Sequence, residues 1–278
     1  MRCIGLAVWM VLTGFASGHG DLHDSIQAAT LKIQQAPANS SRFLERAKLY
    51  AAHEDPARAY ADFDRAEALG ADPAAVAPGR AKLHLTTGRY AEACRSLDDL
   101  LRHDPRQVEA LIIRARARAR LHDAAGSAAD YTAAIMASPH PEPEYYLERA
   151  EVLNRTTPPQ TDAAIRGLDE GLARLGKGIV TLQLAALNLE IQAGRVEAAL
   201  TRIDAAAAAA PRKELWLSRR GDLLVDAGRP AEARQSYQEA LKCLAALPPR
   251  VRAARTTSDL EAHVRRALTR SGRSPESP

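Results

Sequence analysis

The sequence predicts an all-α protein, a solenoid of about six helix pairs with a capping helix at each end. Three observations lead there. Of 278 residues, 46% are hydrophobic but only 4% aromatic, and Ala, Leu, Arg and Glu are prominent, all good helix formers. Small residues recur with a period near 34, a spacing typical of helical repeats. Glycine and proline fall at matching places between the helical stretches, where they stop or redirect a chain.

Residues 1–18 have the pattern of a secretory leader. Arg2 supplies the positive start, Cys3 to Phe15 form an apolar run, and small residues follow. The run is too short to span a bilayer, which takes about 20 apolar residues. Ala16 and Gly18 each fit a peptidase cut. The expected product is an exported protein, periplasmic or secreted, with no membrane attachment after leader removal. It retains Cys94 and Cys243. The repeat map sets these far apart, so two separate, largely buried thiols are expected instead of a disulfide.

Residues 19–39 hold "DLHDSIQAATLKIQQAP", an amphipathic helix with Leu22, Ile26 and Ile33 on one face. The repeats occupy 40–248. Their first small-residue series is Ala47, Ala81, Ala115, Ala150, Ala186 and Gly221, in steps of 34, 34, 35, 36 and 35. A second small series is Ala59, Ala93, Ser127, Ala164, Ala199 and Ala233. A bulky series follows four residues on: Phe63, Leu97, Tyr131, Leu168, Ile203 and Tyr237. Four-residue spacing puts each small and bulky pair on one helix face. The first helix of most units also carries a large residue four or so positions before its small one: Phe43, Leu111, Tyr146, Leu182, Leu217. Ala77 is a weak version in the second unit.

Breaks such as "HEDPA", "TTGRY", "LHDAA" and "DAGRP" separate the two helices of a unit, and Pro73, Pro105, Pro139, Pro211 and Pro248 are expected to end the second helices. "NRTTPPQTD" is longer and is expected to be a flexible loop. Residues 249–270 form the closing helix, with Ser258 and Glu261 at capping-box spacing and Leu260, Val264 and Leu268 as its stripe. Residues 271–278 are expected to be a disordered tail.

The units "GRAKLHLTTGRYAEACRSLDDLLRHDP" and "RRGDLLVDAGRPAEARQSYQEAL" resemble the tetratricopeptide repeat in large/small spacing, Gly-Arg turn and terminal proline. The resemblance covers about Ser40 to Pro248. It implies a right-handed α-solenoid of an exported bacterial type, and partner binding on a concave face lined by first helices. Carried onto this chain, that face holds Lys48, Lys82, Arg116, Arg120, Glu151, Arg155, Asp222 and Asp226, basic in the first half and acidic at the end. Such a polarised groove suits an extended peptide or a partner's surface helix.

Other signals are bland. An arginine precedes the small residue in five units: Arg46, Arg80, Arg114, Arg149 and Arg220. It could be a basic ladder for an acidic ligand. The better reading is structural, with arginine stems packed between helices and heads paired to Asp64, Asp98, Asp169 and Asp204. "RARARAR" does not line one helix face, and a net charge of +4 with interleaved acids argues against nucleic acid. The histidines are scattered, and no HExxH, GxSxG, Walker loop or CxxC occurs. The expected function is a non-catalytic scaffold for a protein or peptide partner, without cofactor. The alternative is an exported Cu(II)/Ni(II) binder: either cut leaves His19 at or near a new amino terminus, with His23 close by.

Overall fold

The structure, a computed structural model, describes residues 16–176 and 178–271. The leader's first fifteen residues and the tail beyond Ser271 therefore lie outside the described residues. Every regular element among the described residues is a helix. The opening helix α1 (Ala16–Gln35) is followed by α2 (Ser40–Ala52) and α3 (Pro56–Ala68), α4 (Pro73–Thr86) and α5 (Tyr90–His103), and α6 (Val108–Arg120) and α7 (Ala124–Ala137). Then come α8 (Pro143–Asn154) and α9 (Thr161–Leu175), α10 (Val180–Gln192) and α11 (Val196–Ala209), and α12 (Glu214–Asp226) and α13 (Pro230–Ala245). A single turn, α14 (Pro249–Arg252), leads into α15 (Arg255–Ser271). The chain divides into two compact units, the first ending at Ser138 and the second starting at Pro139.

Both units obey the repeat pattern. All residues of the two small series and the bulky series are buried, from Ala47, Ala59 and Phe63 in the first pair to Gly221, Ala233 and Tyr237 in the sixth. The small residues allow close helix approach. An added Cβ at Gly221 would lie 2.3 Å from the Tyr237 ring, so only glycine admits that ring. The two helices of each pair pack on each other, and successive pairs stack within a unit. Neither helix of a pair could bury its apolar stripe alone.

Caps set the ends. Asp55, Asp72 and Asp123 accept hydrogen bonds from the amides of Arg58, Ala74 and Gly126, each in the first turn of its helix. The Gly-Arg turns work through left-handed glycines. Gly88 (φ 76°) and Gly228 (φ 72°) let Arg89 and Arg229 donate back to the carbonyls of His84 and Leu224, at 2.8 Å in both cases.

Several local expectations need correction. Pro73 does not end α3, which stops at Ala68 before Gly70; it opens α4, where a missing N–H costs nothing. Pro248 likewise precedes α14 and is its N-cap. Ser258 is not a cap, because α15 already begins at Arg255. Glu261 instead binds Arg252 and Arg265, which hold its carboxyl below the usual range. The break after Asn154 is a hydrogen-bonded turn. Thr156 Oγ1 donates to Leu153 O and accepts from Gln160 N, and Thr161 Oγ1 donates to Asn154 Oδ1. Cys94 and Cys243 are free but half-buried; burial raises both thiols above their ordinary value.

The capping helices behave as expected on their apolar sides. Ile26, Ala29 and Ile33 of α1 are buried and α1 packs on α2, with Leu22 half-buried. In the second unit Val264 is fully buried, and Leu260 and Leu268 pack around the same core as Trp216, Leu217 and Tyr237.

Candidate functional site

The first unit carries the site best formed for a ligand. The first helices α2, α4 and α6 leave between them a cleft of about 510 Å³. Its walls are Ala51 and Ala52 from α2, Ala74, Ala75, Pro78 and Gly79 from α4, and Glu109 from α6, with the Phe63 ring beneath. Lys48 and Lys82 stand on its rim, both exposed. Among the described residues neither lysine has a carboxylate partner. The volume is within the range of ordinary ligand pockets. The cleft exists because α4 is built from small side chains. Pro78 and Gly79 stand where the neighbouring repeats of this unit carry Leu44 and Glu45, and Ile112 and Ile113. Pro78 stands inside α4, where it has no N–H to give to the carbonyl four residues before it.

A second cleft, about 750 Å³, lies on the α5 side of α4. Its charges are largely spent on one another: Arg80 binds Asp64 at 2.7 Å and Glu67 at 3.2 Å, and Arg102 binds Asp99 at 2.8 Å.

The remaining expected site residues fare differently. Arg116 is half-buried and already engaged in an interaction. Arg120 is exposed and lies over the Tyr90 ring at 4.9 Å. Thus Lys48 and Lys82 share one cleft, and Arg116 and Arg120 do not line it. In the second unit Glu151 and Arg155 pair with each other at 2.5 Å, one helical turn apart. Asp226 is exposed. Asp222 is occupied: it accepts from Tyr237 Oη at 2.8 Å and lies 3.0 Å from His263 Nε2 of α15. Burial, and next the bond to Asp222, raise the Tyr237 phenol well above its ordinary value. The acidic end of the expected column is therefore partly covered by the closing helix. The first helices of this unit instead expose apolar side chains, Val180, Ile191, Leu215 and Val225.

The arginine ladder is structural, with a different pairing rule from the one expected. Three of the five guanidiniums, those of Arg46, Arg114 and Arg220, reach positions sixteen residues both before and after them, and Arg80 reaches Asp64 sixteen before. Arg114 binds Asp98 at 2.9 Å and Asp130 through two bonds of 2.8 and 2.9 Å. Arg46 holds Asp62 by two bonds of 2.7 Å and Thr30 at 3.1 Å. Arg220 joins Asp204 and Ser236, both at 2.8 Å. Asp64, Asp98 and Asp204 thus serve as expected, but Asp62 and Asp130, buried within the arginine's own repeat, were not anticipated. Arg149 takes Glu170 at 2.7 Å instead of Asp169. The fifth repeat has Ala185 at the ladder position, and Arg202 from α11 replaces it, binding Asp169 at 2.8 Å and Glu190 at 2.8 Å. Burial opposes the Arg202 charge, yet these two carboxylates more than compensate and raise its pKa.

In the first unit His84 of α4 is buried, its Nδ1 2.9 Å from Tyr60 Oη. Burial, and then the charges of Arg80 and Arg89, lower its pKa from the ordinary 6.5. His23 is exposed and lies 3.0 Å from Gln27 Nε2. His19 falls in the first turns of α1, and its side chain is outside what the structure describes. Among the described residues no helix is long and apolar enough to cross a membrane.

Helix pairs of 34–36 residues, with small residues at the crossings and bulky ones between repeats, define an α-solenoid. Comparison with known families narrows this class. Residues 79–142 match a tetratricopeptide repeat model, and 165–254 match a tetratricopeptide repeat-like domain. The chain belongs to the tetratricopeptide repeat proteins. Among solved structures it is similar to a tetratricopeptide repeat protein from Parabacteroides merdae, at TM-score 0.53 and 15% identity over 89% of this chain and 94% of that one. It is also similar to the structure of Naa15/Naa10 bound to HypK-THB, at TM-score 0.50 and 14% identity, over 91% of this chain and 39% of that one. At these identities the likeness concerns the fold. No curated protein matches the chain. Proteins of this fold commonly bind protein or peptide partners, and the fold supports a role as an interaction scaffold.

Proposed function

We propose that the protein is an exported interaction scaffold, periplasmic or secreted, that captures a protein or peptide partner on the face lined by its first helices. It performs no chemistry of its own and needs no cofactor. The observation that carries this reading is the cleft between α2, α4 and α6, where Lys48 and Lys82 stand exposed and unpaired. Elsewhere in the first unit most cations near the helix interfaces are committed to carboxylates. Two free ammonium groups beside an apolar hollow favour an acidic partner segment. Export rests on the leader pattern of residues 1–18.

A crosslinking pull-down from the extracytoplasmic fraction tests both halves. Wild type is expected to capture a partner, and Lys48→Glu, Lys82→Glu and Arg116→Glu together are expected to abolish capture. Equal capture by the variant overturns the binding face. Intact mass of the recovered protein is expected to start at Ser17 or His19; recovery only from the cytoplasm, with the leader attached, overturns export.

A further inference from the structure

The geometry points to a single specificity pocket within that face: the cleft above Phe63 receives one bulky apolar side chain of a partner peptide whose flanking residues are acidic. This rests on the proposed binding face and adds the chemistry of its ligand. The hollow is a property of repeat two alone within its unit. Leu44 and Ile112 occupy the corresponding place one repeat before and one repeat after, whereas repeat two has Pro78 beside Gly79. Its floor is the Phe63 ring, which lies so close to Gly79 that an added Cβ would sit 2.9 Å from the ring edge. The ring itself is fully buried, so an apolar side chain placed there would cover the surface of Ala51, Ala52, Ala75 and Pro78, a gain that scales with the area removed from water.

Polar groups around the hollow set the rest of the ligand. The Lys48 chain passes near Gly79, its Cε 3.8 Å from where a Cβ would stand, and Lys82 follows Gly79 by three residues on α4. Both bring an uncompensated positive charge to the rim, so residues flanking the inserted side chain are favoured when acidic. Glu109 is the one acid in the lining. Its position on α6 places it at the far wall from Lys48, so the carboxylates are favoured toward α2 and α4. An extended peptide satisfies both at once: apolar side chain above Phe63, carboxylates to the lysines.

The test uses the purified full chain and fluorescein-labelled, capped five-residue peptides read by fluorescence anisotropy. One carries phenylalanine between pairs of glutamates; in two controls the centre is glycine or the glutamates are lysines. The phenylalanine peptide is expected to bind saturably, and each control at least about tenfold more weakly. Ala75→Leu fills the hollow from an exposed helical position and keeps both lysines. It is expected to weaken the phenylalanine peptide about tenfold with an unchanged thermal midpoint; Ala52→Leu is a second filler should the first perturb folding. No saturable binding, equal binding of phenylalanine and glycine peptides, or full affinity in both filled variants overturns the pocket. Pull-down separates the two levels. Capture lost on lysine reversal but kept on filling removes the pocket and leaves the face, whereas capture kept in both removes the face.

Discussion

Repeats two and six match the family pattern most closely in sequence, yet the structure uses them in opposite ways. Repeat six is filled. Trp216, Leu217 and Tyr237 are buried, and α15 is packed on α12 and α13. Repeat two is hollowed on its exposed side, where Pro78 and Gly79 leave the cleft above Phe63 open. Corresponding positions then differ in fate. Lys82 and Asp222 both lie one residue past the small packing residue, but Lys82 is exposed on a cleft and Asp222 is bonded to Tyr237 and His263. A repeat register places a residue on a face. What covers that face decides whether the residue is available.

The two glycines give the sharpest way to break this comparison. A Cβ at Gly221 would lie 2.3 Å from Tyr237, a fully enclosed ring held by Asp222. Gly221→Ala is expected to cost about 2–3 kcal/mol through overpacking, visible as a lower urea midpoint. Alanine gains about 1 kcal/mol of helix propensity over glycine at either site, but at Gly79 the approach to the equally buried Phe63 ring is 2.9 Å, a contact that a small shift of the ring relieves. Gly79→Ala is therefore expected to lie within about 1 kcal/mol of wild type. Equal losses at the two sites would mean that repeat two is packed as tightly as repeat six.

Much of this was legible in the chain. The small and bulky series identified the buried positions because a period near 34 tolerates few exceptions when every repeat must stack on the next. In the sequence the hollow shows only as a defect: Ala77 is a weak version of the bulky position, and nothing in the repeat register marks the run "PAAVAPG" as a wall of small side chains. Val76, buried beside it, supplies the core contact instead. Asp62 and Asp130 are hard to read from the sequence because acids in amphipathic helices ordinarily face water. Their sixteen-residue spacing to Arg46 and Arg114 was the signal that could have found them. The occupation of Asp222 is illegible for another reason: α15 reaches it from 41 residues away in sequence, and no repeat pattern encodes that contact.

Asp222 and Lys82 supply the next contrast. Asp222→Ala removes the acceptor of a buried tyrosine hydroxyl and one contact to α15. The expected loss is about 1–2 kcal/mol, with faster amide exchange in α15. Lys82→Ala is expected to leave stability within about 0.5 kcal/mol while weakening an acidic peptide. If the stability loss followed Lys82 instead, the lysine would be a packing residue and its ligand role would fall.

The smallest effect concerns His84, the buried histidine of repeat two. Burial, reinforced by Arg80 and Arg89, lowers its pKa below the ordinary 6.5. As pH falls through 6.5, the unfolded chain takes up the proton first, so the unfolded state binds more protons than the folded one. Stability therefore declines with falling pH from about 6.5 down to the depressed folded value, and levels off below it. Full stabilisation is present above 6.5. Urea midpoints of wild type measured between pH 7.5 and pH 5 are expected to fall more steeply than those of His84→Gln, which keeps a polar side chain within reach of Tyr60 but cannot titrate. The difference between the two profiles isolates the histidine from the surrounding carboxylates. Parallel profiles would mean that the imidazole is hydrated in solution, and that the α4–α5 side of repeat two is as open as its cleft.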